Sequence, residues 1–347
     1  LSSRRSALES FLMRAWMRRG LVACLLWPLS LLFGALGALR RGLYAAGVLR
    51  STRLPVPVLV VGNIFIGGTG KTPFTIWLVE AMRRAGYRPG VVSRGYGSSN
   101  EGYQAIGPDS AAREVGDEPL LIARRANCPV VVGRGRVTAA RALIAAHPEV
   151  DLIISDDGLQ HYALQRDVEI VLFDARGKGN GWLLPAGPLR EPASRRRDFT
   201  VVNAEDLPEG MPQYTTQMLL NGEFAEALAD RRRVPLSSFA APSPNAGQPR
   251  IVAAAGIGNP SRYFTMLRKA GLEIVEMPLP DHYDFLDNPF AGMQADIILI
   301  TEKDAVKCSQ NAALKDDPRI WVVPVAACIA GSLAEQIVEK FRGRPIA

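Results

Sequence analysis

A lysine and a threonine closing a glycine-rich stretch, carboxylates in adjacent pairs, and a histidine between acids are the residues best spaced for chemistry in this chain. The stretch reads Phe65-Ile66-Gly67-Gly68-Thr69-Gly70-Lys71-Thr72, between an apolar run over 57–63 and a helix-forming run over 73–84. A strand, a glycine-rich turn and a helix opening in Lys-Thr-Pro supply what a triphosphate needs. Backbone N–H groups and the helix N-terminus face the anion, Lys71 reaches the β and γ phosphates, and Thr72 can ligate Mg²⁺. The general pattern has glycine where Phe65 stands, so the motif is incomplete, and a tight turn with an incidental lysine is the alternative.

The other candidates also follow apolar runs. Arg94 stands in Arg94-Gly95-Tyr96-Gly97, where two glycines let a loop bend and present the guanidinium. Asp156 and Asp157 end the run over 152–155. This ending is like the second motif of phosphate-loop enzymes, whose Asp holds Mg²⁺ directly or through water. A plain helix cap would use one Asp, not two. Asp117 and Glu118 precede a helix over 120–125. They suit the positive end of that helix, or a division of labour between a general base and a Mg²⁺ or water ligand, and the residues alone leave both open. His282 sits in Pro280-Asp281-His282-Tyr283-Asp284-Phe285, for which a surface turn is the plain alternative.

Each group needs an element to carry it. Strands expected over 88–93, 129–132, 151–155, 168–173 and 199–203 alternate with helices, 136–147 among them. That alternation indicates an α/β fold of the phosphate-loop NTPase type: a doubly wound, mostly parallel sheet whose ligands sit beyond the carboxyl ends of its strands. Strands over 250–255, 273–277, 296–301 and 320–325 make a second, smaller α/β domain at 250–347. The phosphate-loop domain takes 54–210. A connector at 211–249 reads as two strands, 214–222 and 232–240, followed by a Pro-Ser-Gly-rich hinge at 241–249. Thr301 and Asp304 suit a capping box, so the lysines between and after them are left out of the site.

Charged residues at 22% and hydrophobic residues at 48% describe a folded globular chain. The net charge of +7 suggests nucleic acid until it is located. Residues 1–53 hold nine arginines against Glu9, which leaves +8 there and −1 on the remaining 294 residues. The body therefore has no general polyanion-binding character, and no nucleic-acid partner is expected. The four cysteines show neither CxxC nor Cys/His spacing, which disfavours structural zinc and disulfides and fits a reducing, cytosolic setting.

Residues 21–39 run without a charge, about 28 Å as helix against about 30 Å of hydrocarbon core. Arg18 and Arg19 precede the run and Arg40 and Arg41 follow it, so a single crossing would leave one basic cluster outside. Pro28, Gly34 and Gly37 are expected to interrupt the helix. A segment entering one leaflet from the cytoplasmic face meets these constraints better than a spanning helix, a soluble helix pair or a signal peptide.

Taken in order, these stretches resemble the tetraacyldisaccharide 4′-kinase family of lipid A biosynthesis. The matching text is Val61-Gly62-Asn63 with Gly67-Gly68-Thr69-Gly70-Lys71-Thr72-Pro73, then Ser93-Arg94-Gly95-Tyr96-Gly97, Gly116-Asp117-Glu118-Pro119 and Asp156-Asp157-Gly158-Leu159-Gln160-His161. It continues through Gly179-Asn180-Gly181, Leu184-Pro185-Ala186-Gly187-Pro188-Leu189-Arg190-Glu191, Ala255-Gly256-Ile257-Gly258-Asn259-Pro260 and Thr301-Glu302-Lys303-Asp304-Ala305-Val306-Lys307. The family's phosphate loop has no fixed glycine at its first position either, so Phe65 departs only from the wider pattern.

The resemblance implies transfer of the γ-phosphate of ATP to the 4′-hydroxyl of tetraacyldisaccharide 1-phosphate, giving lipid IVA, with Mg²⁺ as the metal. It implies Asp117 as the base and His282 pairing with it across the domain cleft. It also implies Lys71 on the phosphates, and Thr72, Glu118, Asp156 and Asp157 around Mg²⁺ and the nucleophile. Gly67, Gly68, Thr69 and Gly70 complete the nucleotide loop, and Arg94 is counted with the catalytic residues. The implied partners are the acylated disaccharide and the inner membrane surface, on its cytoplasmic face and as a peripheral or monotopic protein, with no obligate protein partner. The rivals are a phosphate-loop ligase, which would not need the basic apolar N-terminus, and a membrane-recruited ATP switch, which would not need two acid pairs and a remote histidine.

Overall fold

The computed structural model describes residues 11–95, 102–240 and 249–342. Its larger sheet takes β1 (Val58–Asn63), β2 (Pro89–Ser93), β3 (Tyr103–Ala105), β4 (Val130–Gly133), β5 (Leu152–Asp156), β6 (Val168–Asp174), β7 (Phe199–Asn203), β8 (Thr215–Asn221) and β15 (Ala326–Ile329). The order is β15-β8-β7-β6-β1-β5-β2-β4-β3, parallel from β8 to β4, with antiparallel strands at both edges. Every residue of β1, β2, β4 and β5 is buried. Strands covered on both faces need apolar side chains at every position, which is why these segments read as unbroken hydrophobic runs. The α/β class expected from the alternation is the class observed.

Polar residues close five neighbouring strands. Asn203, Asp174, Asn63, Asp156 and Ser93 are the last residues of β7, β6, β1, β5 and β2, side by side in that order and all buried. Buried polar groups cost free energy unless hydrogen-bonded, so this row must be fully organised. It lies on the carboxyl edge, where open α/β sheets bind ligands.

The smaller sheet holds β9 (Phe224–Ala227), β10 (Arg233–Pro235), β11 (Ile251–Ala255), β12 (Ile274–Pro278), β13 (Ile297–Thr301) and β14 (Ile320–Val323), in the order β10-β9-β14-β13-β11-β12. The segments expected to pair as a connector go to different sheets: β8 lies beside β7, while β10 pairs with β9. The chain then returns, since β15 pairs with β8 and the helix Leu333–Arg342 buries Leu333, Ile337 and Phe341 against the large sheet. Residue pattern marks these segments as strands and helix but does not carry the identity of a partner about a hundred positions away. Residues 241–248 of the expected hinge lie outside the described residues.

The first described long helix, α1 (Leu21–Ala45), runs unbroken through Pro28, Gly34 and Gly37, so the expected interruption is absent. Gly34 instead serves close packing: a Cβ there would lie 2.9 Å from Leu183 Cδ1, and one turn earlier Ser30 Oγ donates to Leu183 O at 2.8 Å. The basic flanks also touch the body, Arg19 Nε donating to Asn180 O at 3.1 Å and Arg41 lying 4.0 Å from Glu191. The opposite face is bare, with Leu21 85% and Leu25 80% exposed and Leu29, Leu32, Leu36 and Leu39 more than half exposed. A soluble core helix would bury these side chains. By length and composition this helix could cross a membrane.

Candidate active site

The phosphate loop hangs between β1 and α2 (Lys71–Arg84). Gly67 and Gly70 take φ of +100° and +90°, and a Cβ on Gly70 would sit 2.4 Å from Asn203 Nδ2, so that turn requires glycine. Asn63 braces the loop from below. Its Nδ2 donates to the carbonyls of Phe65 at 2.5 Å and Gly67 at 2.8 Å, and its Oδ1 accepts from Lys71 Nζ at 3.0 Å. Asn203 Nδ2 donates to Thr69 O at 3.1 Å. Phe65 is buried with the Arg176 guanidinium 4.3 Å above its ring, and Arg176 donates to Asp174 Oδ2 at 2.6 Å and Gly68 O at 3.3 Å. The loop is thus fixed from two sides while Gly67 and Gly68 stay exposed and Thr72 stands half-buried in the first helical turn.

Asp156 and Asp157 are neighbours with different surroundings. Asp156 turns inward and accepts from Thr75 Oγ1 at 3.3 Å and Ser93 Oγ at 3.0 Å. Burial, and after it the charge of Glu118, push its pKa up to about 6. Asp157, at φ +48°, lies 3.6 Å from Lys71 Nζ and 3.5 Å from Arg190. Burial would raise its pKa, but the charges of Lys71, Arg190 and Arg136 outweigh it and hold the carboxyl below its ordinary value. Arg136 is itself buried and donates to Gly133 O at 2.9 Å and Asp156 O at 2.8 Å. Arg94 is exposed just beyond β2. Burial, then the charges of Arg136 and Arg94, push His161 down to about 4, so this imidazole is neutral near pH 7. Tyr96 and Gly97 of the arginine loop lie outside the described residues.

Asp117 opens the helix Asp117–Ala126. Its Oδ1 accepts from Glu118 N at 2.9 Å, and its Oδ2 meets His282 Nδ1 at 3.0 Å and Lys307 Nζ at 3.2 Å. His282 comes from the other lobe, in the left-handed region at φ +59°, its N–H bonded to Gly256 O at 3.2 Å. Burial alone would raise the Asp117 pKa. The His282 hydrogen bond and the charges of Lys303 and Lys307 win, and hold it well below the usual carboxylate range. The same bond, first among its causes, raises His282 above its ordinary value. Glu118 faces Lys303 Nζ at 3.1 Å, and that amine also lies 3.4 Å from Asp281 and 3.5 Å from His282 Nε2.

Both acid pairs, the lysine of the loop and the remote histidine therefore lie on one edge of the large sheet, with Arg94 beside them. Asn63, Arg136, Arg190, Lys303 and Lys307 are the site residues that reading the sequence for chemistry left unassigned. The lysines carried a signal in their i, i+4 spacing after a capped strand end, which puts them on one helix face. Arg190 stood in a stretch that matches the family without being given a role, and Arg136, which arrives by long-range folding, carried no signal.

Residues 22–342 match the family described as Tetraacyldisaccharide-1-P 4'-kinase. The chain is 65% identical over its full length to the whole of the tetraacyldisaccharide 4'-kinase of Janthinobacterium sp. (strain Marseille). It is 62% identical, over all of this chain and 99% of the relative, to that of Herminiimonas arsenicoxydans. Among solved structures, LpxK from Aquifex aeolicus in complex with ATP superposes with a TM-score of 0.76 at 28% identity, covering 93% of this chain and 99% of that one. Matches of this extent leave no room for the ligase or the switch, and with the phosphate loop and acid pairs in place the chain belongs to the tetraacyldisaccharide-1-P 4'-kinase family and is a kinase of lipid A biosynthesis.

Proposed function

We propose that the chain carries the γ-phosphate of ATP to the 4′-hydroxyl of a tetraacyldisaccharide 1-phosphate, with Asp117 taking the hydroxyl proton and His282 holding Asp117 in place. The observation that carries this reading is the 3.0 Å contact between His282 Nδ1 and Asp117 Oδ2 on the edge that bears the phosphate loop. Phosphoryl transfer needs little covalent help from the protein, so catalysis falls to positioning and charge. Lys71, held by Asn63 and Asp157 at the end of the loop, would reach the β and γ phosphates. Exposed amides at Gly67 and Gly68 line the same turn. His282, donating from Nδ1, keeps the second carboxylate oxygen occupied and leaves Asp117 a defined direction for accepting a proton. Arg94 adds positive charge beside the site.

The donor set fits Mg²⁺. Thr72, Glu118, Asp156 and Asp157 are the residues that would hold it, all hard oxygen donors. Negative charge is crowded there, since burial and the Glu118 and Asp157 charges push Asp156 up to about 6, and a divalent cation relieves such crowding. When bound, Mg²⁺ would neutralise charge on the β and γ phosphates.

The exposed leucines of α1 and its arginine flanks support a seat at the cytoplasmic face of the inner membrane, where the acylated substrate lies. Purified protein, Mg²⁺-ATP and tetraacyldisaccharide 1-phosphate in mixed micelles should yield a bisphosphorylated lipid. No product under conditions where ATP binds would overturn the substrate assignment.

A further inference from the structure

The helix Glu302–Cys308 presents opposite chemistry on its two faces. Asp304 and Cys308 are fully buried in the small lobe, where Asp304 accepts from Thr301 Oγ1 at 2.7 Å and from Gly256 N at 3.0 Å. Lys303 and Lys307 point the other way, yet their side chains are only 14% and 10% exposed. Lysines at a lobe surface normally keep their amines in water. Here the large lobe covers them: Lys307 Nζ lies 3.2 Å from Asp117 Oδ2, and Lys303 Nζ 3.1 Å from Glu118. The same Lys307 amine lies 5.7 Å from the centroid of the Phe285 ring, so it faces the carboxylate on one side and an aromatic face of its own lobe on the other. At the far end of the same contact Glu302 pairs with Arg125 of the Asp117 helix. The two helices therefore meet through a ladder of three ion pairs, and two of its rungs are the acids of the site.

We propose that Lys307 and Lys303 are positioning residues for phosphoryl transfer: Lys307 fixes the Asp117 carboxylate against His282, and Lys303 ties Glu118 to Asp281, so the acids hold working geometry only while this helix is docked on theirs. The inference rests on Asp117 being the base. Asp117 Oδ2 is shared between His282 and Lys307, and losing the amine leaves that oxygen to His282 while Oδ1 keeps only the Glu118 N–H. A misplacement of about 1 Å at a reacting group costs about a hundredfold in rate.

The test is a kinetic cycle on the full-length protein with Mg²⁺-ATP and micellar lipid substrate, using Lys307→Met, Lys307→Arg, Asp117→Asn and the double variant Asp117→Asn/Lys307→Met. Methionine keeps an unbranched side chain of similar length and removes the charge. Lys307→Met should lower kcat about a hundredfold while KM for ATP moves less than about threefold and Tm stays within a few degrees. Lys307→Arg should recover most of the rate. In the Asp117→Asn background the same change should cost less than about threefold, because its target is already gone. Wild-type kcat in Lys307→Met with an impaired Asp117→Asn would overturn the positioning role and leave the base intact. An equal penalty in both backgrounds, or a loss that follows the fraction of folded protein, would overturn it too. A fully active Asp117→Asn would remove the base reading itself and this inference with it.

Discussion

His282 Nδ1 and Asp117 Oδ2 lie 3.0 Å apart although 165 positions separate them and each belongs to a different lobe. One contact thus joins the proposed base to the arrangement of the lobes. If Asp117 is the proton acceptor proposed above, Asp117→Ala removes it without touching the phosphate loop, so kcat should fall about a hundredfold to ten-thousandfold with KM for ATP nearly unchanged. Lys71→Ala takes away a group proposed to bind the phosphates in both ground and transition state, so kcat and KM should both suffer. Steady-state kinetics of the two variants check the contrast. Equal, mild effects would return Asp117 to the plain role of a helix-start acid.

The same pair predicts a pH-dependent stability. Asp117 is held below its ordinary value, so its share of the stabilisation is present above about pH 4 and is lost as the pH falls. His282 is held above its ordinary value, so its share is present below about pH 6.5 and is lost as the pH rises through the raised folded value. Stabilisation is therefore greatest between about pH 4 and about pH 6.5. His282→Ala should lower Tm more at pH 6 than at pH 9 (both chosen about that window). A gap in Tm that does not change with pH would mean that the pair adds packing and no charge.

Much of this site is legible in the residues because the large sheet is parallel and buried on both faces. Apolar runs mark β1, β2, β5, β6 and β7, and polar residues at their ends mark the ligand edge before any partner is known. What stays hidden is whatever depends on which distant segment arrives. The destination of β8, the return of β15, and the placing of Lys303 and Lys307 opposite Glu118 and Asp117 are such cases. The capping pair Thr301 and Asp304 is real, with Asp304 N donating to Thr301 Oγ1 at 3.2 Å, yet the same short helix also feeds the site. Reading the cap as a complete explanation hid the lysines. Gly34 of α1 misled in the other direction, because close packing on Leu183 and helix breaking ask for the same residue.

Asn63 should prove as important to nucleotide binding as the glycines it supports. It is fully buried and makes three hydrogen bonds, two to loop carbonyls and one from Lys71. Asn63→Ala leaves those carbonyls and the ammonium without their partner, at a cost of about 1–3 kcal/mol for the buried groups. The loop then loses its fixed curvature, so ATP affinity should drop by about tenfold or more, which the same free-energy range sets. Titration with a fluorescent ATP analogue reads the affinity and urea unfolding reads the stability. Wild-type affinity in a folded Asn63→Ala protein would show that Gly67 and Gly70 shape the turn unaided.

The bare face of α1 makes the last prediction, which concerns location and not chemistry. Leu25 is 80% exposed and Leu36 58% exposed, so replacing either with Asp disturbs no packing inside the protein. If that face sits among acyl chains, each carboxylate there costs about 2.5–3.5 kcal/mol, and two together should abolish binding that one apolar helix provides. Leu25→Asp/Leu36→Asp should stay at the bottom of a flotation gradient with vesicles of zwitterionic and anionic phospholipid, while the unaltered protein rises. ATP affinity and Tm should match those of the unaltered protein, because the substituted side chains touch neither lobe's core. Retained ATP binding with lost flotation would separate the two jobs of the chain, one done at the carboxyl edge of the large sheet and one along the leucines of α1. Undiminished flotation would move the membrane contact away from this helix.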